Sequence, residues 1–253
     1  MVWHRPRRAL WVLAFSSRIA QNRAARSVTG HHDPGGRMTA DFSALRRNMV
    51  DCQLRTYDVT DRAVLAAMDS VPREVFVPKA RREVAYIDQP VRLDDLGAPG
   101  RALLPPMTAG RMLQTLDIQP GQRLLDFACG TGYSAAVALA MGAEVVACDS
   151  SAALRDAARA ALAEAGAGAV TVVDQVPAAS FDLIMVNGAC ETMPTDLADR
   201  LADGGRMVFV EGAGRSGRVM LYQRSGETVG GRAVFDAAAP MLNEFRKAPV
   251  FAL

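Results

Sequence analysis

Residues 123 to 140 read RLLDFACGTGYSAAVALA, and this stretch limits the possible folds more than any other. Arg123–Phe127 has the pattern of a buried strand. Two glycines, Gly130 and Gly132, stand in the turn after it, and Tyr133, Ala136, Val137 and Ala140 stripe one side of a helix. A strand that runs through a short glycine-bearing turn straight into a helix is the opening unit of an α/β crossover. The same grammar then repeats. Glu144–Cys148 reads as a strand, residues 152–165 as a helix and residues 169–173 as a strand. Residues 181–186 form a near-continuous apolar run, as expected of a strand covered by helices on both faces. Pro194 opens a helix carrying Leu197 and Leu201, closed by Gly204-Gly205, and residues 206–210 are a further strand. Residues 219–223 and 232–235 pair as antiparallel strands across a turn at Ser225-Gly226. The expected class is a Rossmann-like, doubly wound α/β sheet.

One crossover is short. Only seven residues separate Val173 from Phe181, a reach of at most ~25 Å when fully extended. A parallel connection normally takes about a dozen residues and a helix. The spacing therefore predicts a stretched loop without a full helix.

Ahead of this core, residues 42–82 read as a charged helical preface. Thr60 is placed to cap a helix whose Val64, Leu65 and Met68 share a face, and Val71-Pro72-Arg73-Glu74 ends it. Residues 88–105 hold Pro90, Gly97, Pro99, Gly100 and Pro105 and read as loop, and a short helix with Met112, Leu113 and Leu116 follows. Three segments are expected: a leader at 1–37, the preface with its loop at 38–105, and a Rossmann-like domain at 106–253.

Charge separates the leader from the rest. Residues 1–37 carry seven arginines and one acid, Asp33, whereas the whole chain carries +2, so residues 38–253 are net −4. A mildly acidic body does not imply a nucleic-acid surface. All three histidines and both tryptophans also lie in the leader. Its apolar core at residues 9–15 is short for a secretory signal, so the leader reads as a disordered extension with Met38 as a candidate start. No apolar run approaches the ~18–20 residues needed to cross a bilayer. The four cysteines, Cys52, Cys129, Cys148 and Cys190, are far apart, with no Cys-x-x-Cys and no histidine beyond the leader to join them. That argues against a zinc site or disulfide framework and for a reducing, cytoplasmic setting, and a monomer is expected. Cys129 and Cys148 read as small packing residues, Met107 and Met112 as core fillers, and Arg73 with Glu74 as a surface pair.

The loop at residues 128–132 reads as a nucleotide cradle. Gly130 and Gly132 let the backbone approach a ligand, the following helix points free N–H groups there, and Asp149, ending the second strand, can accept hydrogen bonds from a ribose. A dinucleotide fingerprint would place a third glycine where Ala135 stands, and Asp126 would repel a pyrophosphate. S-adenosyl-L-methionine lacks phosphate and is cationic, so it suits Asp126 better than NAD does.

Residues 38–253 resemble the protein-L-isoaspartate O-methyltransferase family. The likeness rests on Met49-Val50 through Gln53-Leu54-Arg55, Val71-Pro72-Arg73-Glu74-Val75-Phe76-Val77-Pro78, Ala85-Tyr86-Ile87-Asp88-Gln89-Pro90, Cys129-Gly130-Thr131-Gly132-Tyr133, and the stretch from Phe181-Asp182 to Pro194. It implies a seven-stranded methyltransferase sheet, S-adenosyl-L-methionine as donor, isoaspartyl proteins as acceptors, and a cofactor site drawn from Asp126, Ala128, Gly130, Thr131, Gly132, Asp149 and Asp174. An acceptor carboxylate is ionised at neutral pH, so the absence of a core histidine agrees with this chemistry.

Three departures stand out. The family pattern Gly-Gln-Thr-Ile-Ser-Gln-Pro is here Gly100-Arg101-Ala102-Leu103-Leu104-Pro105-Pro106, so threonine is replaced by Ala102 and the reaction-site serine by Leu104. The first cofactor-loop glycine is Ala128, and a Gly-Asp-Gly element is reduced to Val173-Asp174-Gln175. Two other readings therefore stand beside isoaspartyl transfer. One is methyl transfer to a different acceptor, with Arg101 holding an anion; the other is donor binding without turnover.

Overall fold

The computed structural model describes residues 40–212, 214 and 217–247. The leader at 1–37 and the candidate start Met38 lie outside the described residues. The described residues from Phe42 onward form one compact unit.

Its centre is a seven-stranded sheet. The strands are β3 (Arg123–Phe127), β4 (Glu144–Cys148), β5 (Thr171–Val173), β6 (Phe181–Cys190), β7 (Leu201–Glu211), β8 (Arg218–Ser225) and β9 (Thr228–Asp236), in the spatial order β5-β4-β3-β6-β7-β8-β9. The first five strands of that order run parallel, and β8 and β9 add antiparallel at one edge. The chain steps outward from β3 to β4 and β5, then returns to lay β6 on the other side of β3. The order reverses between β3 and β6, and ligands of open α/β sheets bind outside such a switch point.

Alternation explains why the central strands read as unbroken apolar runs. Leu183 and Met185 of β6 enter one core cluster while Ile184 and Val186 enter the other; Val208 and Val210 of β7 likewise oppose Met207 and Phe209. Successive side chains of a strand point to opposite faces, and here both faces are dry. The first cluster joins the preface, α3 (Pro106–Leu116), α4 (Tyr133–Ala140) and α5 (Ala152–Glu164). The second is covered by the four-residue α6 (Thr195–Ala198), Leu242, Val176 and Phe245. The short crossing at residues 174–180 contains no helix, as its length predicts.

The preface comprises α1 (Phe42–Met49), a π turn at Val50–Leu54, α2 (Arg62–Ser70) and 3-10 turns at Arg73–Phe76 and Lys79–Val84. Four boundary expectations need correction. Asp61, not Thr60, caps α2, accepting from the Ala63 and Val64 N–H groups, because a carboxylate one residue later reaches both free donors. The loop at 88–105 contains a small hairpin, β1 (Val91–Arg92) with β2 (Ala102–Leu103). Strand β5 starts at Thr171 rather than residue 169. The helix after Pro194 stops at Ala198, and Leu201, Gly204 and Gly205 already belong to β7. Its register against β6 jumps from Phe181↔Leu201 to Leu183↔Arg206, so those glycines lie in an irregular stretch of strand.

Candidate functional site

The loop expected to hold a nucleotide leaves β3 at the switch point. Ala128, Gly130 and Gly132 have φ of 55°, 58° and 86°, so the turn uses the left-handed region three times. Gly130 and Gly132 meet that demand without strain, while Ala128 stands there at a cost of about 1 kcal/mol. A Cβ on Gly130 would lie 3.1 Å from Leu93 Cδ1, and one on Gly132 3.3 Å from the Leu162 side chain. The room opened by these glycines is thus closed by leucines of the hairpin and of α5, a packing role that the motif alone does not reveal. The Thr131 hydroxyl donates to the Phe76 carbonyl, so this buried side chain ties the loop to the preface.

Asp149, one residue past β4, is buried, and its carboxylate gathers the site. Oδ2 accepts from Gly130 N at 2.9 Å and Oδ1 from Ser151 N at 3.0 Å. Arg101 completes the set across the cleft: Nη2 donates to Oδ2 at 2.8 Å and Nη1 to Oδ1 at 3.3 Å, and Nη2 also donates to the Ala128 carbonyl at 2.9 Å. Beside this pair opens a cleft of about 330 Å³, lined by Gly97, Gly100, Arg101, Ser150, Ser151 and Glu244 among others.

Asp126 lies beneath the loop with no exposed surface. Asn187 Nδ2 donates to its Oδ1 at 2.8 Å, and Ser134 Oγ donates to its Oδ2 at 2.9 Å. Burial outweighs these bonds and pushes its pKa up to about 7. Asn187 also donates to the Phe127 carbonyl at 3.1 Å, bracing the end of β3. Asp174 stands exposed directly after β5.

Leu103 and Leu104 are buried and apolar, so the segment carries no reaction-site hydroxyl. The Leu104 carbonyl accepts from Arg73 Nη2 at 2.7 Å, and Arg73 Nε donates to the Ala85 carbonyl at 2.7 Å. The Arg73 guanidinium lies 4.6 Å from the centre of the Tyr133 ring. Arg73 is therefore no surface residue: it is fully buried, while Glu74 turns to Tyr86 and Arg46. Burial holds the Arg73 pKa below the ordinary value.

Cys129, Cys148 and Cys190 are buried free thiols, and burial raises all three, Cys148 to about 11 and Cys190 to about 12. They are protonated at neutral pH, which fits packing rather than nucleophilic work. Met112 is fully buried, and Met107 packs partly buried against the same core.

Hydrogen bonds unite Asp149, Gly130, Ala128 and Arg101, and Asp126 and Thr131 lie behind the loop; the Leu104 carbonyl is tied to Arg73, and Asp174 follows Val173, whose carbonyl accepts from Asp149 N at 3.2 Å. Sequence reasoning passed over Ser134 and Asn187, although Asn187 is the first polar residue after the apolar run at 183–186. The residues suit S-adenosylmethionine at one point, the buried carboxylate of Asp149 that follows β4 beside a cleft; Asp126, fully buried and pushed toward its neutral form, does not supply the charge discrimination expected of it.

Residues 45–236 match the model of the protein-L-isoaspartate(D-aspartate) O-methyltransferase family. A protein-L-isoaspartate O-methyltransferase 1 of Rhodopseudomonas palustris is 36% identical over 73% of this chain and 76% of its own length. One from Methylorubrum extorquens is 38% identical over 68% and 76%. A Plasmodium falciparum crystal structure, titled as a beta-aspartate methyltransferase in complex with S-adenosyl-L-homocysteine, shares the fold with a TM-score of 0.66 at 19% identity, covering 81% of this chain and 100% of that one. The chain belongs to the protein-L-isoaspartate(D-aspartate) O-methyltransferase family of S-adenosylmethionine-dependent methyltransferases.

Proposed function

We propose that this enzyme methylates isoaspartyl carboxylates of damaged proteins. The observation that carries the reading is the hydrogen-bonded junction of Asp149, Gly130, Ala128 and Arg101 at the sheet's switch point, in a chain of this family. S-adenosylmethionine supplies an electrophilic methyl group. An isoaspartyl carboxylate is ionised at neutral pH, so the chain must orient it and exclude water rather than remove a proton.

The roles divide accordingly. Asp149 is the acceptor for ribose hydroxyls, Gly130, Gly132, Ala128 and Thr131 shape the loop around the donor, and Asp126 with Asn187 and Ser134 stiffens it from below. Asp174 is read as an outer residue on the adenine side. Leu104, at the family's serine position, contributes dryness instead of a hydroxyl. The division at residues 105 and 106 follows: the preface shapes the acceptor side and residues 106–253 the donor side. A monomer working in the cytoplasm completes the reading; the cytoplasmic part is supported by the free thiols of Cys129, Cys148 and Cys190. No helix among the described residues is long and apolar enough to cross a membrane.

The loss of the hydroxyls at Ala102 and Leu104 favours a second reading, methyl transfer to a different acceptor. Labelled methyl transfer to an isoaspartyl peptide separates the two. We expect measurable transfer by the wild type and roughly fivefold more by Leu104→Ser, the worth of one added hydrogen bond of about 1 kcal/mol. No transfer to the peptide by either protein, with transfer to a cell extract, would select the second reading.

A further inference from the structure

The backbone around Arg101 is held from several sides. Its carbonyl accepts from Leu93 N at 2.9 Å, its N–H donates to the Ala98 carbonyl at 3.2 Å, and Val91 pairs with Leu103. Arg73 grips the carbonyl of Leu104 three residues on. The Arg101 side chain is bound differently: its guanidinium donates to the donor side, to Asp149 and to the Ala128 carbonyl.

Those bonds complete the capacity of Asp149. A carboxylate offers about four acceptor positions. Gly130 N, Ser151 N and the two Arg101 nitrogens supply four donors. The backbone pair belongs to the turn itself, so the two positions a ribose diol requires are those held by the guanidinium. The ion pair is also shielded, with side-chain exposures of 17% for Arg101 and 0% for Asp149, and a forked, charge-assisted pair in such a place is not a trivial surface contact. Arg101 has somewhere to go, because it also lines the cleft, where the carboxylate-bearing residue Glu244 stands on the wall and Gly97 and Gly100 present no side chains.

We propose that Arg101 is an internal competitor for the donor: its guanidinium occupies the ribose carboxylate of Asp149, must swing into the adjacent cleft for the donor to bind, and so sets donor affinity. The proposal rests on the reading of Asp149 as the ribose acceptor. A ligand that must first displace a group bound to its own site has its affinity reduced to the fraction of time that the site is free. Removing the competitor should therefore tighten binding, the opposite of what deleting a binding residue does.

The test is calorimetric titration of the full-length protein with S-adenosylhomocysteine, on the wild type, Arg101→Met, which keeps the aliphatic stem, and Arg101→Gln. We expect Arg101→Met to bind ~10- to 100-fold more tightly than the wild type, as removal of one to two charge-assisted hydrogen bonds implies, with Arg101→Gln between them. Thermal unfolding adds a readout that a merely structural role would not move: the Tm increase caused by saturating S-adenosylhomocysteine should be larger in Arg101→Met than in the wild type. Equal or weaker binding by both folded variants, beside a binding wild type, overturns the competitor and leaves Asp149 as donor acceptor intact. Absence of binding in all three proteins overturns the donor reading, and the competitor with it.

Discussion

Two arginines hold the two ends of the segment 101–104, and they do so by opposite chemistry. Arg73, on the preface side, is fully buried, donates to the neutral carbonyls of Ala85 and Leu104, and rests on the Tyr133 ring. Arg101, on the donor side, is partly exposed at the edge of a cleft and donates to the carboxylate of Asp149. A fully buried cation held by two carbonyls and an aromatic ring acts as framework, because leaving them would strand a charge in the core. A cation on a site carboxylate holds the place where a ligand would bind, and open space beside it lets it leave. One segment is thus clamped at its acceptor end and exchangeable at its donor end.

The comparison can be broken most forcefully at the clamp. Arg73→Ala removes a buried side chain and leaves two carbonyls without their donors, and we expect a loss of about 3–5 kcal/mol in urea unfolding. A loss below about 1 kcal/mol would show that Arg73 is no framework residue.

The donor end offers a pH experiment. Asp126 binds its proton more tightly in the folded protein, where its pKa is about 7, than in the unfolded chain, where the ordinary value is 3.8. Its contribution is fully present below the unfolded value and is lost as pH rises through the folded one. Relative to Asp126→Asn, wild-type stability should fall from about pH 4 to about pH 7 and then level, by at most about 4 kcal/mol. Paired urea titrations across this window measure the difference, and parallel profiles would place Asp126 in a far wetter setting than the loop shows.

Asp149→Ala sharpens the other half of the comparison. Two lost charge-assisted hydrogen bonds should weaken S-adenosylhomocysteine binding about 100-fold in the same titration used for the Arg101 variants. An unchanged affinity would remove Asp149 from the donor site. The smallest effect belongs to Ala128→Gly, which relieves the left-handed alanine at φ 55°. Thermal unfolding should report a gain of about 1 kcal/mol or less, since glycine's freedom in the unfolded chain offsets part of the relief.

Much of this architecture could be read before any coordinates. The strands from Arg123 to Val210 announced themselves because both faces of the sheet are dry, which leaves long apolar runs at β6 and β7. The seven-residue crossing followed from chain length alone. Asp149 could be placed at the head of β4 because strand ends are where α/β folds expose such groups. The cap at Asp61, the two-residue strands of the hairpin and the early end of α6 could not, because each depends on a local hydrogen-bond competition that neighbours resolve.

The order of residues was enough to establish a doubly wound sheet and a glycine turn at its switch point, because periodicity and side-chain chemistry are properties of the chain; the missing hydroxyls at Ala102 and Leu104 emerged from the resemblance to the family's pattern. It could not show that Arg73 is buried or that Arg101 crosses to Asp149, 48 residues away in the chain. Burial and long-range pairing depend on which surfaces meet when the preface folds against the sheet, and no local pattern carries that information.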